Sequence, residues 1–433
     1  AEGWSVFTPA GKDVTTFDLP DYDRIADLVV ECGPHHCVTF DVLGVAHDIV
    51  FWGLEETRID VDQLIADTRR LVEQNASMFG GTLPYRRYLF VYHVSSDLRG
   101  GLEHLDSCVL ATTWKFFETE EGYRDLLGLI SHEHFHVWNV KRIRPTPLGP
   151  FDYGRENYTT GLWISEGATS YYDNFNCLRS GLWTTQQWLD MVAADMTAYE
   201  NIPGRYAQSV AESSWDAWIR LYRPDENTVN RTVSYYLKGS LVWMALDLTI
   251  RAQTGGVRTT DDVMAHYWRH FMATGVGFDE QAVAADILAA TGVDVSAELA
   301  AWVPSPGDPP LEPLLAAHGV EVERKPGKMS NLGIAWSGVA EGWRVTQVRN
   351  DGAQAGGEIY PGDVILAVNN RRVLAEGTRE YLERLPVDTE VAVALFRRDR
   401  LVAASARTGL VPNATVGLKL TEQPSDAAFA LRE

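Results

Sequence analysis

The segment 129–145, LISHEHFHVWNVKRIRP, constrains this chain more than any other, because His132, Glu133 and His136 stand in the order H-E-x-x-H. On a helix, residues four apart lie one turn above each other on the same face, so the two imidazoles can offer nitrogens to one tetrahedral zinc. Glu133 lies one step round from His132. From there it can reach a water in the metal's open position and take its proton as general base. His134 is turned to the far side and is read as a non-ligand. Taken alone, the motif also fits two satisfied polar histidines on a buried helix, so a third ligand and the remainder of a site must be found downstream.

Glu166, in LWISEGATSYY, is the best third ligand, because it sits on an apolar helical stretch where an unpaired carboxylate is costly. A helix-start carboxylate or a buried ion pair would also account for it. Two histidines and a downstream glutamate give the gluzincin arrangement, three protein ligands with the fourth position left to water. One zinc per chain is expected, although other divalent metals could use the same trio.

At 433 residues the chain is too long for one ordinary core and fits two or three domains. With 38 Lys plus Arg against 59 Asp plus Glu, the formal charge of -21 argues against nucleic acid or an anionic membrane as partner. An acidic surface is compatible with peptide N-termini. No apolar run is long enough to span a bilayer, and the first residues lack the basic and apolar regions of a signal peptide. The chain starts at Ala1 rather than Met, compatible with a removed targeting segment. It is expected to be soluble, with cytoplasm and periplasm both open. Cys32, Cys37, Cys108 and Cys177 form neither a zinc pattern nor a dense disulfide framework, and free thiols are the expected state.

Along the chain, residues 1 to about 55 read as short extended segments broken by Gly, Pro and Asp. Residues 60–78 have apolar positions at helical spacing and are followed by Gly80 and Gly81. Two strands follow, at 88–94 and 107–113, and the motif helix is predicted over 123–140. Helical patterns dominate from residue 185 to about 291. Residues 303–313, VPSPGDPPLEP, hold five prolines and predict a linker. After it, short strands with Gly and Asp turns describe a separate β-rich module.

Beyond these patterns, HEHFHVWNVKRIRP, LWISEGATSYYDNF and the C-terminal module together resemble the glycyl aminopeptidase family, relatives of the puromycin-sensitive-type zinc aminopeptidases. The resemblance implies an α+β multidomain protein. It divides the chain into a remnant of an N-terminal β-domain (residues 1–50), a thermolysin-like zinc peptidase domain (51–182), a helical domain (183–304), a Pro-rich linker (305–314) and a C-terminal PDZ-like β module (315–420). It also implies release of N-terminal residues, small ones such as Gly and Ala favoured.

Two more site residues come across by motif. Tyr236, in Tyr236-Leu237-Lys238-Gly239, is similar to the Y-x-K-G tyrosine that hydrogen-bonds the tetrahedral intermediate. Read without the family, it is an aromatic of an apolar helix. Glu103, in Gly100-Gly101-Leu102-Glu103-His104, is similar to the G-x-M-E-N glutamate that grips the substrate's α-ammonium, with Gly101 beside it in the substrate-binding strand. Leu102 and His104 depart from that string. Without the family, Glu103 reads as a solvated residue beside a Gly-Gly turn. The basic run Lys141, Arg142 and Arg144 reads as structural pairing near the helix end, with orientation of site carboxylates as a further possibility.

In the C-terminal module, Leu332, Gly333 and Ile334 resemble the loop by which PDZ domains receive a peptide C-terminus. A groove filled by the protein itself fits the same residues. The expected partners are therefore peptides with a free N-terminus and a peptide C-terminus in the PDZ groove. Family members usually carry a sizeable N-terminal β-domain, so contact with such a domain or with a second copy is also expected. An endopeptidase, and a PDZ-type binding protein with a silent peptidase domain, are the alternatives.

Overall fold

The computed structural model describes residues 2–53, 59–327, 330–351, 357–374, 377–410, 414–422, 424, 425 and 428. Two compact units emerge, Ala1–Trp188 with Leu246–Ser296, and Leu189–Ala245 with Ala297–Glu433.

The first unit is built on a five-stranded sheet in the order His36–Val42, Val45–Trp52, Arg87–Ser95, Ser107–Thr113, Gly100–His104. The three inner strands are parallel, and the two outer ones join antiparallel. Arg87–Ser95 lies in the middle, and its Leu89, Phe90, Val91 and Tyr92 are all buried, the continuous apolar run required of a strand covered on both faces. The extended segments before it also make a small sheet, ordered Gly11–Lys12, Ser5–Thr8, Glu31–Gly33.

Helix Val61–Met78 starts where the Asp60 carboxylate accepts from the Gln63 N–H at 3.0 Å, and it buries Leu64, Thr68, Leu71 and Asn75 along one stripe. The motif helix, Glu120–Phe135, is capped in the same way by Thr119, which accepts from the Gly122 N–H at 3.0 Å. Glu120 and Glu121 complement the positive end of its dipole. Regular helix stops at Phe135, short of the expected 140, because side chains take carbonyls beyond it. Arg142 Nη1 donates to Val137 O at 2.7 Å and His136 Nδ1 to Asn139 O at 2.6 Å. The backbone continues in wider turns, with Ile143 N–H donating to Trp138 O at 2.7 Å.

Glu166 stands in a π-turn, Trp163–Ala168, rather than in regular helix, which begins only at Thr169–Arg179. The cause is Asn139, whose Nδ2 donates to Ile164 O at 2.9 Å and Ser165 O at 3.1 Å. A side-chain donor on these carbonyls favours the widened turn, a form often found at functional sites.

In the second unit, five antiparallel strands run in the order Ile334–Val339, Gly342–Val348, Val364–Val368, Glu390–Arg397, Arg400–Arg407. Val391, Val393 and Leu395 alternate inward and meet Trp343, Val345 and Ile365 in one core, beside helix Gly377–Glu383. The turn after Gly342–Val348 is fastened to the helical part of this unit. Asn230 Nδ2 donates to Val348 O at 2.8 Å, and Arg349 Nη2 to Asn201 O at 2.7 Å. The Pro-rich stretch is held too, since Arg205 Nη1 meets Asp308 Oδ2 at 2.6 Å and a helix begins at Leu311. No described helix is long and apolar enough to cross a membrane, and all four cysteines are free thiols.

Candidate metal centre

The motif helix and the π-turn bring His132, His136 and Glu166 together in the first unit. His132 Nε2 and His136 Nε2 lie 3.3 and 3.2 Å from the same oxygen, Glu166 Oε2. The opposite ring nitrogens are already committed. His132 Nδ1 is 2.9 Å from Asp173 Oδ2, and His136 Nδ1 is 2.6 Å from Asn139 O. An ionised carboxylate and a backbone carbonyl only accept, so each Nδ1 carries its hydrogen and each Nε2 lone pair points to the shared centre.

Glu133 Oε2 and Glu166 Oε2 are buried with no hydrogen-bond partner beyond these imidazole contacts. Buried carboxylate oxygens facing nitrogen lone pairs are costly unless a cation is shared among them. The donor set, two neutral imidazoles and one carboxylate, fits zinc.

Charge is arranged accordingly. Burial pushes up the Glu166 carboxyl, but positive charge on His136 and His132 outweighs it and holds it well below the usual carboxylate range, and a cation shared at this centre would do the same with both rings neutral. Glu133 shows the opposite balance. Burial raises it to about 7, with Glu103 and Glu166 pushing the same way against His132 and His136. A carboxyl near 7 can both take and return a proton at neutral pH.

Gly101 and Glu103 lie on the edge strand Gly100–His104, two residues apart and so on one face. Glu103 belongs to a second convergence, in which its carboxylate, that of Glu133 and a ring nitrogen of His136 all lie within 4.8 Å of one another. Gly101 leaves the room this needs, because a Cβ there would stand 2.0 Å from Glu133 Oε1. A side chain at 101 would therefore displace the Glu133 carboxylate from this position.

His134, on the back of the same helix, is fully enclosed. Its Nε2 lies 2.8 Å from Tyr85 Oη and its Nδ1 3.2 Å from Asn75 Nδ2. Tyr236 lies in the second unit, near the start of helix Tyr235–Thr254, with Tyr222 Oη 2.8 Å from its own hydroxyl, while its neighbour Tyr235 is buried. Of the residues expected to receive a peptide C-terminus, Leu332 is buried in the module's core and Ile334 opens the edge strand. Gly333 has a φ of +65° that favours glycine, and its N–H donates to Asn331 Oδ1 at 2.7 Å.

Sequence reasoning missed two residues. Asp173 orients His132, and its signal was position, seven residues after Glu166 and so near the same helical face. Asn139 joins the motif helix to the π-turn through Ile164, Ser165 and Thr169, to which it lies 3.0 Å. Nothing local marks that role.

A helix-borne H-E-x-x-H whose imidazoles meet a downstream glutamate, beside a carboxylate on an edge strand, defines a metallopeptidase site. Residues 125–242, which hold both histidines, Glu133, Glu166 and Tyr236, match the model of the M61 glycyl aminopeptidase family, and the chain is similar to metallo-aminopeptidases of this kind. An aminopeptidase N family protein from Idiomarina loihiensis superposes with a TM-score of 0.88 at 28% identity, covering 99% of this chain and 77% of that one. An M1 zinc metallopeptidase from Deinococcus radiodurans aligns with a TM-score of 0.46 at 18% identity, over 66% of this chain and 55% of its own. No curated protein sequence matches this chain.

Proposed function

We propose that this chain is a zinc-dependent aminopeptidase releasing N-terminal residues from peptides, small ones such as Gly and Ala favoured. The observation that carries the proposal is the convergence of Glu103 and Glu133 on His136. A general base alone would serve an endopeptidase. A second carboxylate within 4.8 Å of it gives the substrate's α-ammonium a fixed partner at one residue from the scissile bond.

His132, His136 and Glu166 would hold the metal, and when bound it supplies a water of lowered pKa and polarises the peptide carbonyl. Glu133 would accept a proton from the attacking water and return it to the nitrogen of the leaving amine. Glu103 accepts the α-ammonium and sets the register, and the small space over Gly101 keeps Glu133 free of backbone crowding. Tyr236 is proposed to donate its phenol hydrogen to the developing oxyanion.

Hydrolysis of Gly- and Ala-anilides beside N-acetylated controls tests this directly. Cleavage confined to free-amine substrates, lost on chelation and restored by zinc, is the expected result. Cleavage of the acetylated substrates would make the chain an endopeptidase, and failure to cleave any of them would favour a binding protein with a silent peptidase domain.

For the C-terminal module we propose that a peptide C-terminus adds along Ile334–Val339, which ends its sheet among the described residues. Its carboxylate would take the Gly333 N–H now bonded to Asn331. Binding of a C-terminally free peptide, absent for its amide, is the expected outcome.

A further inference from the structure

Glu103 is placed by a two-strand hairpin whose partner strand begins at Ser107, with His104 paired to Ser107. The turn between them, Leu105 and Asp106, is gripped from two sides. The Leu105 N–H donates to Asp27 Oδ2 at 2.7 Å, and His104 Nδ1 lies 3.4 Å from Asp27 Oδ1. Lys141 Nζ meets the same Oδ1 at 2.7 Å. On the other side, Asp106 receives Arg24 at 2.9 Å and Arg142 at 3.3 Å, while Arg142 Nη1 also donates to Leu105 O at 3.1 Å.

Two separate stretches of chain thus meet at the turn that carries the Glu103 strand. Asp27 and Arg24 come from the segment of helix Tyr22–Ala26, and Lys141 and Arg142 from the turns that follow the motif helix. Lys141 and Arg142 of the basic run therefore point onto the hairpin and its Asp27 anchor, while Arg144 lies over the Phe151 ring. Asp27 is the centre of the grip. Burial alone would raise its carboxyl, yet His104 beside it and the Lys141 ammonium hold it at about 2. A charged group bonded both to a strand turn and to the motif helix fixes the distance between the two.

We propose that Asp27, with Lys141, is a positioning residue for substrate selection: it locks the His104–Asp106 turn to the motif helix and thereby holds Glu103 where the α-ammonium must sit. This rests on the anchor role given to Glu103. Asp27 touches neither substrate nor metal ligands, so its loss should loosen recognition of the amine while the chemistry, once substrate is bound, continues.

Steady-state kinetics on a Gly-anilide and its N-acetyl counterpart, with the full zinc-loaded chain, test the proposal. In Asp27→Asn, KM for the free amine should rise roughly tenfold with kcat within about twofold, an effect of lost binding rather than lost chemistry. Preference over the acetylated substrate should fall in parallel and zinc content stay at the wild-type level. Lys141→Met, which leaves the Asp27 bond to Leu105 in place, should shift KM in the same direction by less, and Asp27→Glu should recover part of the loss. A wild-type KM in folded Asp27→Asn and Lys141→Met would overturn the proposal, as would a fall in kcat and zinc content with KM unchanged. Glu103→Gln separates the two levels. If it raises KM and Asp27→Asn does not, the grip is only structural; if Glu103→Gln itself leaves KM unchanged, the anchor role fails and the grip's function with it.

Discussion

The two faces of the motif helix carry the same residue type to opposite ends. His132 and His136 on the front have their Nδ1 atoms committed to Asp173 and Asn139, and their Nε2 atoms converge on Glu166. His134, between them in sequence, has both nitrogens engaged on the back. His47 Nδ1 donates to Val45 O at 2.8 Å, so its Nε2 accepts the Tyr85 O–H at 2.9 Å. Tyr85 Oη then accepts from His134 Nε2–H at 2.8 Å, and His134 Nδ1 accepts from Asn75 Nδ2 at 3.2 Å. Burial, together with His47, holds His134 well below the usual imidazole range, so it stays neutral. What distinguishes the proposed ligands from a structural histidine here is which nitrogen is left to point outward.

The sharpest way to break this comparison is on the front face. Glu133→Gln should lower kcat roughly 10²–10⁴-fold while zinc stays bound, because only the proton acceptor is lost. Equal loss of zinc would show that Glu133 is needed to hold the metal. Removing the support behind a ligand should do less. Asp173→Asn keeps a hydrogen-bonding side chain but not the charge, and zinc affinity measured by competition with a chelator should fall about 10–100-fold. On the back face, His134→Ala strands part of the Tyr85–Asn75 chain and opens a cavity. Thermal or denaturant unfolding should show a loss of roughly 2–4 kcal/mol, with activity per folded molecule close to wild type.

Much of this was legible in the residues. The spacing of His132 and His136 put both imidazoles on one helical face, where they meet Glu166, and the same rule set His134 aside. Glu166 was legible from the cost of a carboxylate in an apolar stretch. Its π-turn was not, because the widening comes from Asn139, a donor on a different element. The helix end was misjudged for a similar reason, and the contacts of the Pro-rich stretch were not legible. Arg142 and His136 take the carbonyls that periodicity assigns to continued helix, and Arg205 holds the Pro-rich stretch through Asp308. Asp27 lay beyond reach as well, since its partners Leu105 and Lys141 are brought to it only by the fold.

Zinc content of the chelator-stripped and reconstituted chain, measured on wild type, His132→Ala and His134→Ala in parallel, tests the division of the helix into two faces most directly. One zinc per chain in wild type and His134→Ala, with none retained in His132→Ala, is the predicted result. Loss of zinc from folded His134→Ala, or retention of a full equivalent by His132→Ala, would contradict it.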